Sequence, residues 1–225
     1  IVVTEPCKIS QLRCGYHGRC FALDGAFASM PEFKEVENFP TPADDLRQLP
    51  LFRWGNLLFT SLAPATTAEE TMKEMMSRIP WFPIDKLEFR KDLSKDYHVK
   101  ANWALYCENY LEGFHIPFVH SGLNQVLDFG EYTTETFRYC NLQLGIGKKG
   151  DTCFDLPPTS PDHGKAVEAY YFWVFPNMMF NFYPWGLSVN IVQPVSVGSC
   201  KVSFLTYVSD ASKLNTGAGS GLNDV

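Results

Sequence analysis

One carboxylate and two imidazoles fall within nine residues, Glu112 to His120, and their spacing restricts the backbone that can carry them. Glu112 and His115 are three apart, so on a helix they share a face. His115 and His120 are five apart, which on an ideal helix turns them about 140° away from each other. They can converge on one ion only if the helix breaks between them. Pro117 supplies a break, because it lacks an N–H and clashes with the preceding turn. The expectation is that His115 occupies the last turn of one helix and that the kink re-aims His120. Two histidines and a carboxylate suit a non-haem Fe(II) centre with open positions. Packed or hydrogen-bonded histidines are the alternative reading of the same stretch.

A second motif lies far upstream, Cys14-Gly15-Tyr16-His17-Gly18. A thiolate and an imidazole on a glycine-bounded loop are half of a zinc or iron–sulfur site. Cys7 has no histidine two residues on to complete it. A buried thiol beside a loop histidine stays open at this point.

Between and around these motifs the chain reads as globular. Of 225 residues, 45% are hydrophobic and 20% charged, enough for a sizeable core in one large or two small domains. The net charge is −6 with no basic stripe, which argues against nucleic acid as the main partner. No apolar run of membrane-spanning length occurs, and the first residues carry no secretory leader. Seven scattered cysteines fit a reducing cytoplasm.

Residues 1–62 read as β-rich, with a hairpin turn at Asp24-Gly25. Residues 63–83 read as a connector helix, capped by Thr67 and Glu70, with Met72, Met75, Met76 and Ile79 on one apolar face and Pro80 and Pro83 at its end. The Met stripe reads as core packing. Residues 84–225 form the remainder. Glu131–Ile146 reads as strand, 147–165 as a loop with a solvated His163, and 169–184 as aromatic strands. Further strands lie around 187–193 and 201–208, and a Gly/Ser/Asn-rich tail from Ser209 reads as mobile. The strands would enclose an apolar cavity around the metal helix.

Taken together, the two motifs resemble those of the α (oxygenase) subunit of Rieske non-haem iron ring-hydroxylating oxygenases. The branch that looks most similar contains choline monooxygenase and other quaternary-ammonium oxygenases. Cys14, His17, Gly18, Phe21 and Leu23-Asp24-Gly25 match the second half of that family's cluster motif. Glu112, His115 and His120 match its acidic-x-x-His-x4-His iron motif, inside Asn-Trp…Glu-Asn-Tyr-x-Glu-Gly. FPNMMFNFYPWGLSVNIVQP is similar to the choline-monooxygenase-like branch. The family's Cys-x-His half is absent, which places the other two cluster ligands upstream of Ile1. Arg19 stands where the family usually has Trp. The third iron ligand would be Asp224 or a residue beyond Val225.

The resemblance implies an α+β fold, a partial β-rich Rieske domain at 1–62 and a helix-grip, START-like catalytic domain at 84–225. It implies a [2Fe-2S] cluster held in part by Cys14 and His17, and Fe(II) held by His115 and His120. Glu112 would be an inter-subunit electron-transfer bridge. Electrons would come from NAD(P)H through a reductase or ferredoxin to a homotrimer, which would use O2 to hydroxylate an aromatic ring or a quaternary ammonium compound. The rings of Tyr170, Tyr171, Phe172, Trp173, Phe175, Phe180, Phe182, Tyr183 and Trp185 could cage such a cation or line an arene slot, or simply form core. The other classes of reading are a non-catalytic helix-grip domain for an apolar ligand and a structural zinc site.

Overall fold

The computed structural model describes residues 3–119, 133–148 and 150–219. They divide into two compact units, Ile1–Leu51 with Thr60–Ala63, and Phe52–Phe59 with Pro64–Val225.

The first unit holds a three-stranded antiparallel sheet of β1 (Leu12–Arg13), β2 (Cys20–Phe21) and β3 (Phe27–Ser29). The β2–β3 turn is the one expected at Asp24-Gly25. Gly25 sits at φ +92°, where glycine pays no Cβ penalty, and Asp24 Oδ1 accepts the Ala26 N–H at 3.0 Å. Strands this short bury little, and the interior is completed by Arg19. Its guanidinium lies 5.3, 5.2 and 5.7 Å from the ring centres of Phe21, Phe27 and Phe39, and is held by Asp44 at 2.8 Å. An arginine can fill a tryptophan-sized space in this way because it stacks as a flat plate while its charge is met at one edge.

The second unit opens with the hairpin of β4 (Leu51–Trp54) and β5 (Leu57–Thr60), then α1 (Ala68–Arg78). Next come β6 (Glu88–Phe89), β7 (Lys95–Val99), α2 (Trp103–Leu111) and α3 (Ile116–Val119). The chain then runs through β8 (Thr133–Thr136), β9 (Cys140–Ile146), β10 (Val167–Val174), β11 (Met178–Tyr183), β12 (Gly186–Ser196) and β13 (Ser199–Val208). The last six form an antiparallel meander, and β6 and β7 both pair with β13 to complete an eight-stranded sheet. With so much sheet and few helices, the fold is α+β. The stretch read as one strand over Glu131–Ile146 is two, because the chain reverses at Phe137, whose N–H bonds the Cys140 carbonyl.

Both faces of the sheet are covered, so β9 and β10 are buried at almost every position instead of alternating. On one face Leu142, Leu144, Tyr170, Phe172, Phe180 and Phe182 meet Met72, Met75 and Ile79 of α1. Thr67 Oγ1 caps α1 by accepting the Glu70 N–H at 3.1 Å, and the Met stripe is core. Trp54 and Phe59 of the hairpin pack on the same face against Phe180. The opposite face receives α2.

That second face differs from the apolar cavity expected. Cross-strand register places Gln143, Tyr171, Asn181, Ser188 and Thr206 in one row across β9 to β13. It is a buried polar row: its residues alternate with apolar ones along β9 as on a solvent face, but coverage of both faces buries them.

Two fully buried carboxylates tie outlying segments to this unit. Asp162 lies in the 147–165 loop and takes bonds from Arg78 at 2.7 and 2.9 Å and from Lys165 at 2.9 Å. Arg78 also grips Glu135 of β8. His163 is exposed, but its Nδ1 contacts the Leu156 carbonyl at 2.9 Å. Glu168 holds the segment read as a mobile tail: its Oε1 accepts the Ala218 N–H at 2.5 Å. Gly219, at φ +76°, lets the backbone lie against Tyr183, where a Cβ would come within 2.8 Å of the ring. The tail is docked through residue 219 because a buried acceptor and a flat ring wait for it.

Candidate functional site

The Cys14–Arg19 loop joins β1 to β2, with Leu12 opposite Phe21 and Arg13 opposite Cys20. It is closed by its own backbone: the Cys14 N–H bonds the Arg19 carbonyl at 2.8 Å and the Gly18 N–H bonds the Cys14 carbonyl at 3.1 Å. Gly18 at φ +74° makes the reversal. Cys14 Sγ receives the Tyr16 N–H at 3.5 Å. That N–H, followed by the N–H of His17, draws the Cys14 thiol below its ordinary pKa. The rings of Tyr16 and His17 lie 3.7 Å apart at the tip. A half-buried thiol biased toward thiolate beside an exposed imidazole fits a soft metal or an iron–sulfur cluster and offers it two donors.

The second segment is built on α2. Asn102 starts the helix by accepting the Ala104 N–H at 2.9 Å while its amide donates to the Val197 carbonyl at 2.8 Å. Trp103, Tyr106, Cys107 and Tyr110 recur at i, i+3, i+4 and i+7 and form the face that packs on the sheet. Helical geometry ends at Leu111, with Glu112 extended at φ −116°, ψ 149°. His115 therefore does not occupy the last turn of α2, as the spacing suggested. It follows a turn, and Pro117 sits inside the first turn of α3, where a missing N–H costs nothing.

Glu112 and His115 meet across that turn instead of along a helix face. Glu112 Oε2 accepts the N–H groups of Phe114 at 2.6 Å and His115 at 3.3 Å, and its Oε1 pairs with His115 Nδ1. Burial favours the neutral acid, but the His115 ring and these N–H groups outweigh it and hold the carboxyl below its usual range. An ionised carboxylate only accepts, so His115 Nδ1 donates, and in the neutral ring the lone pair resides on Nε2. A carboxylate that fixes tautomer and ring orientation is the usual partner of a metal-ligating histidine. The side chains of His115 and Glu112 keep 20% and 33% of their surface accessible.

His120 and Asp224 lie outside the described residues. Among the described residues no three His, Cys, Asp or Glu side chains gather as around a metal ion. No described helix is long and apolar enough to cross a membrane. Beside Leu111, on the α2 face of the sheet, a pocket of about 350 Å³ is lined by Thr136, Asn141, Trp173 and Phe175 among others. Asn141 is 6% exposed and its Oδ1 has no hydrogen-bond partner among the described residues. Of the aromatic residues, Tyr170, Phe172, Phe180 and Phe182 belong to the opposite face and are core.

The sequence pattern of the ring hydroxylating alpha subunit (catalytic domain) family matches residues 86–219, more than half the chain and every strand of the eight-stranded sheet. The chain belongs to that family. It is 28% identical over 215 residues to the chloroplastic choline monooxygenase of Arabidopsis thaliana, covering 89% of this chain and 49% of that protein. It is 27% identical over 174 residues to the carnitine monooxygenase oxygenase subunit of Acinetobacter pittii, covering 77% and 46%. The chain thus spans about half the length of the curated relatives it matches. Among solved structures, a quaternary ammonium Rieske monooxygenase with bound inhibitor superposes with a TM-score of 0.72 at 21% identity, over 90% of this chain and 53% of the other. Naphthalene 1,2-dioxygenase from Rhodococcus sp. with bound indole gives 0.63 at 19%, over 90% and 56%. At such identities these two share the fold.

Proposed function

We propose that this chain is part of a Rieske-type oxygenase subunit that hydroxylates a small organic substrate with O2 and reductase-derived electrons. The observation that carries the reading is the Glu112 carboxylate on His115 Nδ1, in a chain of the ring-hydroxylating family. His115, with His120 outside the described residues, would hold an iron(II) ion, which supplies O2 activation when bound. Glu112 fixes the His115 tautomer and, being one-third exposed, would act as the bridge toward a neighbouring subunit of a trimer. Cys14 and His17 would supply two of the four ligands of a [2Fe-2S] cluster, which when bound exchanges one electron at a time with a reductase or ferredoxin.

In this reading residues 1–62 form the later part of the cluster-binding domain, 63–83 the connector and 84–225 a helix-grip catalytic domain. The substrate class favoured is a quaternary ammonium compound. Its support is the choline and carnitine monooxygenases among the relatives, and the ring of Trp173 beside the Asn141 carbonyl, which has no partner among the described residues. Seven free thiols support a reducing compartment such as the cytoplasm.

The test is metal and sulfide analysis of the anaerobically purified full-length protein, followed by product analysis with choline, carnitine and naphthalene. Iron with acid-labile sulfide, and a hydroxylated or dealkylated product, is the expected result. Zinc alone, or no metal, would overturn it.

A further inference from the structure

The segment that carries Glu112 and His115 is only as well placed as the end of α2, and that end has two buried handles. Tyr110 is the penultimate helical residue, so its carbonyl is one of the four that α2 leaves without a helical partner. Gln143 of β9, 2% exposed, donates its Nε2 hydrogen to that carbonyl. The Tyr110 hydroxyl reaches the sheet independently, donating to Asn181 Oδ1 of β11 at 2.7 Å. The Asn181 amide is oriented in turn by donation to the Ser188 carbonyl at 3.3 Å.

Gln143 and Asn181 lie in the same cross-strand row, one strand on either side of Tyr171. One residue of α2 is thus pinned at its main chain and at its side-chain tip, to two strands that flank a third. Two anchors on one residue fix rotation about the helix axis as well as height above the sheet. Glu112 is two residues further on.

We propose that Gln143, Asn181 and Tyr110 form a clamp that sets where Glu112 presents His115, making Gln143 and Asn181 positioning residues for the metal segment. The inference rests on His115 being an iron ligand. It also gives the amides buried at these two places of the polar row a structural task. Apolar residues there would pack as well but would leave the helix end free to slide. Ligand geometry in metal sites is set by such outer contacts, and losing one typically costs 10–100-fold in affinity.

The experiment compares Gln143→Leu and Tyr110→Phe with Ser203→Ala. The control removes a hydrogen bond of the same sheet, Ser203 Oγ to Asp96 at 2.6 Å, that touches no part of α2. Fe(II) affinity is measured by chelator competition, and the ligand field by electron paramagnetic resonance of the nitric oxide adduct. Both clamp variants should bind Fe(II) about tenfold more weakly, with an altered line shape. Ser203→Ala should lower the melting temperature without moving either readout. Unchanged affinity and line shape in both clamp variants would overturn the clamp. Hydrogen exchange on the metal-free chain separates this failure from failure of the iron reading. If the wild type binds no Fe(II), the iron reading falls, and the clamp still predicts at least tenfold faster exchange of the Phe114 and His115 amides in Gln143→Leu. Unchanged exchange there overturns the clamp by itself.

Discussion

Two short segments carry the candidate donor atoms of this protein, and they are held in opposite ways. The Cys14–Arg19 loop is closed by its own backbone: main-chain hydrogen bonds run between Cys14, Gly18 and Arg19, the strands on either side are two residues long, and its long side-chain tie is Arg19 to Asp44. The Glu112–His115 turn closes locally, but it hangs from a helix whose start is tied to Val197 and whose end is tied to Gln143 and Asn181, all distant in sequence. A site of the first kind needs a loop of the right residues. One of the second kind needs a whole sheet to be correct before its donors point anywhere.

Damage to the sheet should therefore reach His115, while damage to the loop should stay in the loop. The largest effect is expected from Arg78→Met, which leaves the fully buried Asp162 without its main partner. Breaking such a pair costs about 3–5 kcal/mol, read as a lower midpoint in urea, with faster exchange of the Phe114 amide as its echo at the site. The double variant Arg78→Met/Asp162→Asn should recover part of the loss, and strict additivity would show that the pair does not couple.

Acid titration sharpens the same point, because the two buried carboxylates are biased in opposite directions. Burial disfavours charge on Asp162, but Arg78 and Lys165 overcome this and hold its carboxyl below the ordinary range. Its contribution is present above the unfolded pKa, about 3.9, and is lost as pH falls through the lower folded value. Burial pushes Glu168 up, against the Ala218 N–H. Its neutral form is the favoured one, so it subtracts stability as pH rises above about 4.3, the unfolded value. In melting curves from pH 3 to 7, Asp162→Asn should flatten the acid limb. Glu168→Gln, which keeps an acceptor for Ala218, should raise the melting temperature at pH 7 and not at pH 3.

A smaller effect is expected within the loop. Gly18→Ala forces a Cβ at φ +74° to 3.2 Å from Pro31, for about 1–2 kcal/mol by chemical denaturation. Gly15→Ala meets nothing within 4 Å and should be near neutral. Equal losses from the two would mean that the loop is not held by its Gly18 reversal. The smallest is Asn102→Ala, about 1 kcal/mol, with exchange rising in the first turn of α2.

Several elements were legible in advance because their causes are local. The α1 cap at Thr67, its Met face and the Asp24-Gly25 turn each follow from a few neighbouring residues. So does the closeness of Glu112 to His115, although the pair meets across a turn and not on the helix face that spacing alone suggested. The clamp was not legible as such. Its sequence trace is Asn141 and Gln143 alternating with Leu142 and Leu144 in β9, and Asn181 between Phe180 and Phe182 in β11, polar stripes that read equally well as a solvent face.

The sequence by itself determined the order and spacing of the candidate donors, together with the turns and caps that depend on glycine, proline and short polar side chains. Those are near-neighbour effects, written in the chain wherever it goes. Only the tertiary structure decided that Arg19 completes a ring cluster, that the 209–219 segment docks on Glu168, and that a polar row lies under α2. Each of these joins residues far apart in sequence, through burial on both faces of one sheet, and burial is a property of the folded pair rather than of either residue.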